Sequence, residues 1–205
     1  MKYLLLLLLE QRAKSLARRL YPHLPKTGRF LDIGSGTGHN VQEIKQLLDV
    51  EFVETDVVDM SVVGNGLVIF DGKKLPFADQ EFSYSLMLFV LQYCDNPVEL
   101  LKESRRVTSK RLILIQSTYA GSFALLILRL REFMTGELAF KFSRTINLID
   151  ECQCSLKALN YFTRRELQET IHQAGFVIRH FEQANWFGLS LSYDLYVLEP
   201  STPSL

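Results

Sequence analysis

The chain has no surplus of charge of either sign: 23 Lys and Arg stand against 23 Asp and Glu in 205 residues. A balanced chain has no bulk attraction for nucleic acid. Neither an aromatic-studded basic stripe nor an appended RNA-binding module makes up for that, so no nucleic-acid partner is expected. Cysteine is scarce. Cys94, Cys152 and Cys154 are too few, and odd in number, for a disulfide framework. With no convincing signal peptide, they point to a reducing, cytoplasmic compartment. Cys152 and Cys154 lack further ligands at zinc spacing, so no metal is expected. The four histidines, His23, His39, His172 and His180, show no pairing with a nucleophile. Long apolar runs are missing as well. The longest pure run is the six leucines at 4–9, far too short to span a bilayer.

What is present is a strand that runs into glycine. Residues 30–38 read FLDIGSGTG, with Phe30, Leu31 and Ile33 before Gly34, Gly36 and Gly38. Val41, Ile44, Leu47 and Leu48 then recur at helical spacing. A sharp strand-to-helix turn built on glycine lets a ligand lie against bare backbone. The dinucleotide fingerprint is G-x-G-x-x-G, but here the spacing is G-x-G-x-G. Asp32, two residues before the first glycine, would repel a pyrophosphate. It suits a cofactor that carries positive charge, and S-adenosylmethionine has both a sulfonium and an amino group. A nicotinamide oxidoreductase is disfavoured on the same two grounds.

FLDIGSGTG resembles the first motif of class I S-adenosylmethionine-dependent methyltransferases. VEFVETDVVD (50–59) resembles their second strand with its acidic end. LVIFDGKKLPFADQEFSYSLMLFVLQYCDNPVELLKESRRV (67–107) is similar to the run D-G/A-x-x-L-P-F…V-L-H-H…D-P…L-x-E-x-x-R-V of small-molecule, "type 11" members. YFTRRELQETIHQAGF (161–176) resembles their late segment. The similarity covers residues 28–117 and 161–199.

Strands are expected at 29–34, 51–56, 67–70, 83–89 and 111–117, and two more over FVIRHFEQ and LSYDLYVLE. Helices are expected from about 39 to 48, from Pro97 to Val107, and from 164 to 174, the last ending at Gly175. Alternating strands and helices predict a parallel α/β sheet covered on both faces. The resemblance implies a Rossmann-like, doubly wound, seven-stranded sheet whose last strand is antiparallel beside the fifth. The link between strands two and three is only about ten residues, where a full crossover helix barely fits, so a short turn of helix or a loop is expected. One domain is expected over 1–205, with an N-terminal helix at about 3–21 and an insert at about 118–160.

The resemblance also implies roles. Gly34, Ser35, Gly36 and Gly38 pass under the methionine portion, and Asp32 holds its amino group. Asp56 accepts hydrogen bonds from both ribose hydroxyls, with Val57 against the adenine. Asp71 and Gly72 lie where the family reads the adenine amine, and Phe89 lies near the methionine part. No catalytic base is named. The family's His-His is replaced by Gln92 and Tyr93, and its Asp after Phe by Ser83.

Charge is unevenly spread. Residues 1–29 carry seven basic groups and one acidic, and residues 30–100 carry three basic and twelve acidic. Ala13, Leu16, Ala17 and Leu20 form an apolar stripe edged by Arg12, Lys14, Arg18 and Arg19. Such a helix is expected to pack as a lid, or to touch an anionic membrane surface peripherally. SFALLILRLREFMTGELAFKF, in the insert, is apolar and suits a lid over a hydrophobic acceptor. The expectation is methyl transfer by in-line displacement to a small, hydrophobic acceptor molecule. The alternative is a non-catalytic, cofactor-binding regulatory protein on the same fold.

Overall fold

The computed structural model describes residues 2–64, 66–134, 141, 145, 157–185 and 191–201. The chain opens with helix α1 (Lys2–Leu20) and a 3-10 turn (Tyr21–His23). Strand β1 (Arg29–Ile33), helix α2 (His39–Lys45), and strands β2 (Glu51–Asp56), β3 (Val68–Ile69) and β4 (Phe82–Leu88) follow. Next come α3 (Pro97–Val107), β5 (Thr108–Tyr119) and α4 (Gly121–Glu132). The remaining elements are β6 (Phe162–Thr163), α5 (Arg164–Gln173), β7 (Phe176–Asn185) and β8 (Leu191–Pro200).

The strand order is β3-β2-β1-β4-β5-β8-β7, and the short β6 pairs with the end of β5. All neighbours are parallel except β8, which runs antiparallel between β5 and β7. This is the doubly wound, mainly parallel sheet that the sequence predicts, with one two-residue strand added. No helix occurs among the described residues between β2 and β3, so of the two expected forms the link takes the loop. Strand β5 continues two residues past the predicted end, through Thr118 and Tyr119, because both pair with β6 and β8.

Alternating side chains of the central strands leave the sheet on opposite faces. Leu31, Met87, Leu112, Leu114 and Tyr196 meet Leu100, Leu101 and Val107 of α3 and Leu167 and Ile171 of α5. Phe30, Leu86, Ile113, Ile115 and Leu195 meet Leu16, Ala17 and Leu20 of α1 and Ile44 of α2. Both faces are buried, which is why β5 reads as the unbroken run Leu-Ile-Leu-Ile. Each of the Leu, Ile, Phe, Val and Met side chains among these contributes roughly 1.5–3 kcal/mol by leaving water.

Caps set the helix boundaries. The Asn96 side chain accepts from Glu99 N at 3.2 Å, with Pro97 in the first turn. Thr163 and Glu166 form a reciprocal capping box at the start of α5. The E-x-x-R pair of α3 has a structural task. Glu103 accepts from Leu75 N at 2.9 Å, while Arg106 donates to Leu75 O and Phe77 O at 3.0 and 2.8 Å. Two side chains of α3 thereby clamp the L-P-F turn that follows β3.

Helix α1 buries Ala13, Leu16, Ala17 and Leu20 against the sheet and α2, the stripe expected from sequence. Leu7 and Leu8 of the leucine run are exposed. No helix among the described residues is long and apolar enough to cross a membrane.

Candidate active site

The direction of chain winding reverses between β1 and β4, so a crevice opens at the carboxyl ends of these strands. Open α/β sheets bind ligands at such a switch point. The three glycines lie there, and all have positive φ, at 78° for Gly34, 59° for Gly36 and 80° for Gly38. Their surroundings differ. A Cβ on Gly34 would come within 2.4 Å of Val90, and one on Gly38 within 2.1 Å of the Val63 carbonyl oxygen. A Cβ on Gly36 would meet nothing within 4 Å. Gly34 and Gly38 are therefore required by protein packing, whereas Gly36 borders open space.

Alternation along β1 and β2 carries three carboxylates to one face. Phe30 and Phe52 stack at the lower end of that face, with ring centroids 4.9 Å apart. Asp32 and Glu54 pair in register above them, and Asp56 ends β2. Glu54 is occupied by the Ser35 hydroxyl, which donates to it at 2.8 Å, and by Lys45 at 3.7 Å. Asp56 accepts from Gly36 N at 2.8 Å and from Val57 N at 2.7 Å, and so shapes the glycine loop. Burial raises the Asp56 pKa above the usual carboxylate value.

Asp32 is different. It is 1% exposed, and its Oδ1 has no hydrogen-bond partner among the described residues. Burial, with the neighbouring charge of Glu54, pushes its pKa up to about 7. The Ser35 hydroxyl acts on this carboxylate in the opposite direction, but a buried carboxylate with one oxygen unpaired still costs free energy that a bound cation would recover.

Val57 is exposed beside this loop, and Gly72 lies against it: a Cβ there would sit 3.3 Å from Val57 Cγ1. The Asp71 carboxylate accepts from Lys73 N and Lys74 N, each at 2.8 Å, and so closes the turn that places Gly72. His39 begins α2, and its Nδ1 is 2.9 Å from the Thr37 hydroxyl. Phe89, just beyond β4, has φ of 61°, an outlier for an aromatic residue. Arg12 of α1 lies over its ring at 5.1 Å, and Tyr193 meets it edge-on at 5.9 Å. Helix α1 therefore reaches the crevice.

A polar cluster that sequence reasoning missed stands next to Val90. Glu132, buried at the end of α4, accepts from Gln92 Nε2 at 2.8 Å and from the Tyr93 hydroxyl at 3.1 Å. It also pairs with Arg131, which donates to the Ser117 hydroxyl at 2.7 Å. Gln116 donates to Gln92 at 2.8 Å, and its own Oε1 is buried without a partner among the described residues. Gln92 and Tyr93 stand where the family has its histidines, but their carboxylate partner lies 39–40 residues further on. The one available signal was Glu132 beside Arg131 at the end of the largely apolar stretch 123–130. Burial and Glu132 push the Tyr93 phenol up to about 12, so it is no base near neutral pH. Burial also pushes the Cys94 thiol up to about 11, which makes it a poor nucleophile. Cys152 and Cys154, and most of the insert beyond residue 134, lie outside the described residues.

A buried carboxylate with one unpaired oxygen, a backbone cradle with open space over Gly36, and a carboxylate at the end of β2 fit S-adenosylmethionine. Known proteins agree with this geometry. A 33% identity over 97 residues links the chain to a Methanocaldococcus jannaschii protein described as uncharacterized, covering 47% of each. The match therefore spans about half the length of that curated relative. Among solved structures, a SAM-dependent methyltransferase of Methanosarcina mazei superposes with a TM-score of 0.61 at 16% identity, covering 89% of this chain and 96% of that one. A SAM-dependent methyltransferase of Aquifex aeolicus gives 0.59 at 13% identity, covering 92% and 97%. The [4+2]-cyclase SpnF gives 0.65 at 14% identity, covering 94% and 83%. These likenesses establish the fold. The family model described as "Methyltransferase domain" matches residues 8–180, most of the chain, and so the chain belongs to the methyltransferase domain family.

Proposed function

We propose that this chain is one domain over residues 1–205 that transfers a methyl group from S-adenosylmethionine to a small, hydrophobic acceptor. The observation that carries the cofactor half is the buried Asp32 carboxylate with its free Oδ1 beside the glycine loop. In this reading Asp32 takes the cofactor's amino group, and Ser35 holds Glu54 back from it. Gly34, Gly36 and Gly38 bring backbone close under the methionine portion. Asp56 keeps lone pairs for the two ribose hydroxyls while it braces Gly36 N. Val57 and Gly72 flank the adenine, and Asp71 acts by closing the turn between them. Phe89 lines the methionine end, with Arg12 over it.

Bound there, S-adenosylmethionine supplies an already activated methyl group. The protein's part is then alignment and exclusion of water. Gln92, Tyr93, Gln116 and Glu132 form the polar floor on the acceptor side, and the buried, unpaired Gln116 Oε1 is the acceptor atom that a substrate hydroxyl would satisfy. On the same face of α4 as Glu132 lie the buried Ala124 and Leu128, packed with Tyr119 and Tyr161, and this apolar lining favours an apolar acceptor.

Calorimetric binding of S-adenosylmethionine, S-adenosylhomocysteine and NAD tests the cofactor half. Binding of the first two without NAD is expected, and no binding of either would remove the reading. An acceptor screen over hydrophobic hydroxyls and carboxylates then tests turnover. Binding without transfer to any acceptor would favour a regulatory, non-catalytic protein. Transfer to polar acceptors alone would remove the hydrophobic assignment. Asp56→Ala is expected to weaken cofactor binding by about 1–3 kcal/mol, because a charged acceptor is lost and Gly36 N is left unbraced. An unchanged affinity would sink the ribose assignment.

A further inference from the structure

A side chain from the start of the chain meets two from near its end on the α1 side of the sheet. His23, in the 3-10 turn after α1, places Nε2 3.0 Å from Glu182 Oε1. His180 places its Nε2 3.1 Å from the same oxygen. The imidazole centroids are 4.7 Å apart, and the three ligand atoms all lie within 4.8 Å of one another. From these contacts we propose that His23, His180 and Glu182 form a zinc site that fastens the end of α1 to the edge strand β7. This site is separate from the cofactor crevice and does not depend on the methyl-transfer reading.

The backbone of β7 is shaped to build the cluster. Ile178 pairs with Leu198, but His180 pairs with Val197, so Arg179 is an extra residue and the strand carries a bulge there. A bulge changes which face the following residues occupy. Ile178 packs with the α3 and α5 side of the sheet, and Val197, opposite His180, packs with the α1 side. Without the bulge, alternation would keep His180 and Glu182 with Ile178, on the far side from His23. With it, both residues face the 3-10 turn.

The donor set suits zinc. Zinc is held by imidazole nitrogen and carboxylate oxygen at about 2.0–2.2 Å, so tetrahedral ligand atoms sit roughly 3.4 Å from one another. The two nitrogen-to-oxygen contacts of 3.0 and 3.1 Å need little expansion to admit the ion, while the two imidazole nitrogens, within 4.8 Å of each other, must draw closer together. Each imidazole would carry its proton on Nδ1, leaving the Nε2 lone pair for the metal. The metal then replaces two hydrogen bonds to Oε1. Arg19 stands 3.8 Å from the other oxygen, Oε2, and donates to the Glu182 carbonyl at 3.3 Å, which keeps Oε1 turned toward the imidazoles. His180 and Glu182 are partly exposed, at 46% and 40%, so an ion can enter and water can fill the fourth position.

The test uses the full chain stripped with chelator and titrated with Zn2+ in calorimetry, and with Co2+ as an absorbing reporter. One ion per chain is expected, with tetrahedral Co2+ absorption and a rise of the thermal midpoint on Zn2+ addition. His180→Ala and Glu182→Gln should each weaken binding at least about tenfold and abolish the midpoint shift. Binding of S-adenosylmethionine to the same variants reports that they are folded, as does their circular dichroism if no cofactor binds. No saturable binding to the wild type would overturn the site. So would binding that both variants retain, since the ion would then be held elsewhere, at the thiols for instance.

Discussion

Asp32→Asn is expected to remove most of the affinity for S-adenosylmethionine and, with it, the dependence of that affinity on pH. The carboxyl is buried, unpartnered at Oδ1, and has its pKa raised to about 7 by burial and by Glu54. In the unfolded chain it would titrate near 3.9. Between about pH 4 and 7 the folded protein therefore binds more protons than the unfolded one, and stability falls as pH rises across that window. The penalty is absent below it and complete above it, at up to about 4 kcal/mol. An ammonium group on the ligand removes this penalty, so cofactor affinity should climb with pH and level off above 7. Asn keeps the shape but not the charge. Loss of a charge-assisted hydrogen bond of about 1.5–3 kcal/mol predicts roughly tenfold to hundredfold weaker binding. The unliganded variant should be more stable than the wild type at pH 8, and equal to it near pH 4. Titration calorimetry at several pH values, with both proteins side by side, cancels the ligand's own titration. Parallel pH curves would remove Asp32 from the amino-group role.

Gly36→Ala and Gly38→Ala should fail in opposite ways. At Gly38 a methyl group would stand 2.1 Å from a backbone oxygen, at φ of 80°. The loop 61–63 must move, and the left-handed conformation adds about 1–2 kcal/mol. The thermal midpoint should fall by several degrees, since each kcal/mol is about 2–4 °C at this size. At Gly36 the methyl group enters open space, so the fold should lose only the conformational cost of about 1–2 kcal/mol. That space is where the cofactor must approach, and binding should be lost. The comparison of midpoint with affinity is decisive. A Gly36→Ala protein that binds normally would mean that the cofactor does not pass over Gly36.

Much of this molecule was legible in its sequence because local patterns carried it. Strand β2 lies at its predicted residues 51–56, and α3 begins at Pro97 and ends at Val107, where capping and proline geometry act within a few residues. The same holds for the end of α5 at Gly175. Strand β5 escaped by two residues at one end and three at the other, because its ends are held by β4, β6 and β8 rather than by their own composition. The α1 stripe was readable, but its reach to Phe89 through Arg12 was not.

The sequence by itself determined the α/β class, the glycine turn and the acid that ends β2, since each depends on neighbours a few residues away. Only the tertiary structure decided what the polar side chains do. It separated Gly36 from Gly34 and Gly38 by what stands opposite each one. It left Asp32 without a partner at Oδ1 while giving Glu54 a serine and a lysine. It joined Gln92 and Tyr93 to Glu132, and His23 to His180 and Glu182. These contacts span from nine residues, for Lys45 and Glu54, to well over a hundred for the His23 cluster. A hydrogen bond is set by angstroms in space, and no periodicity along the chain encodes that.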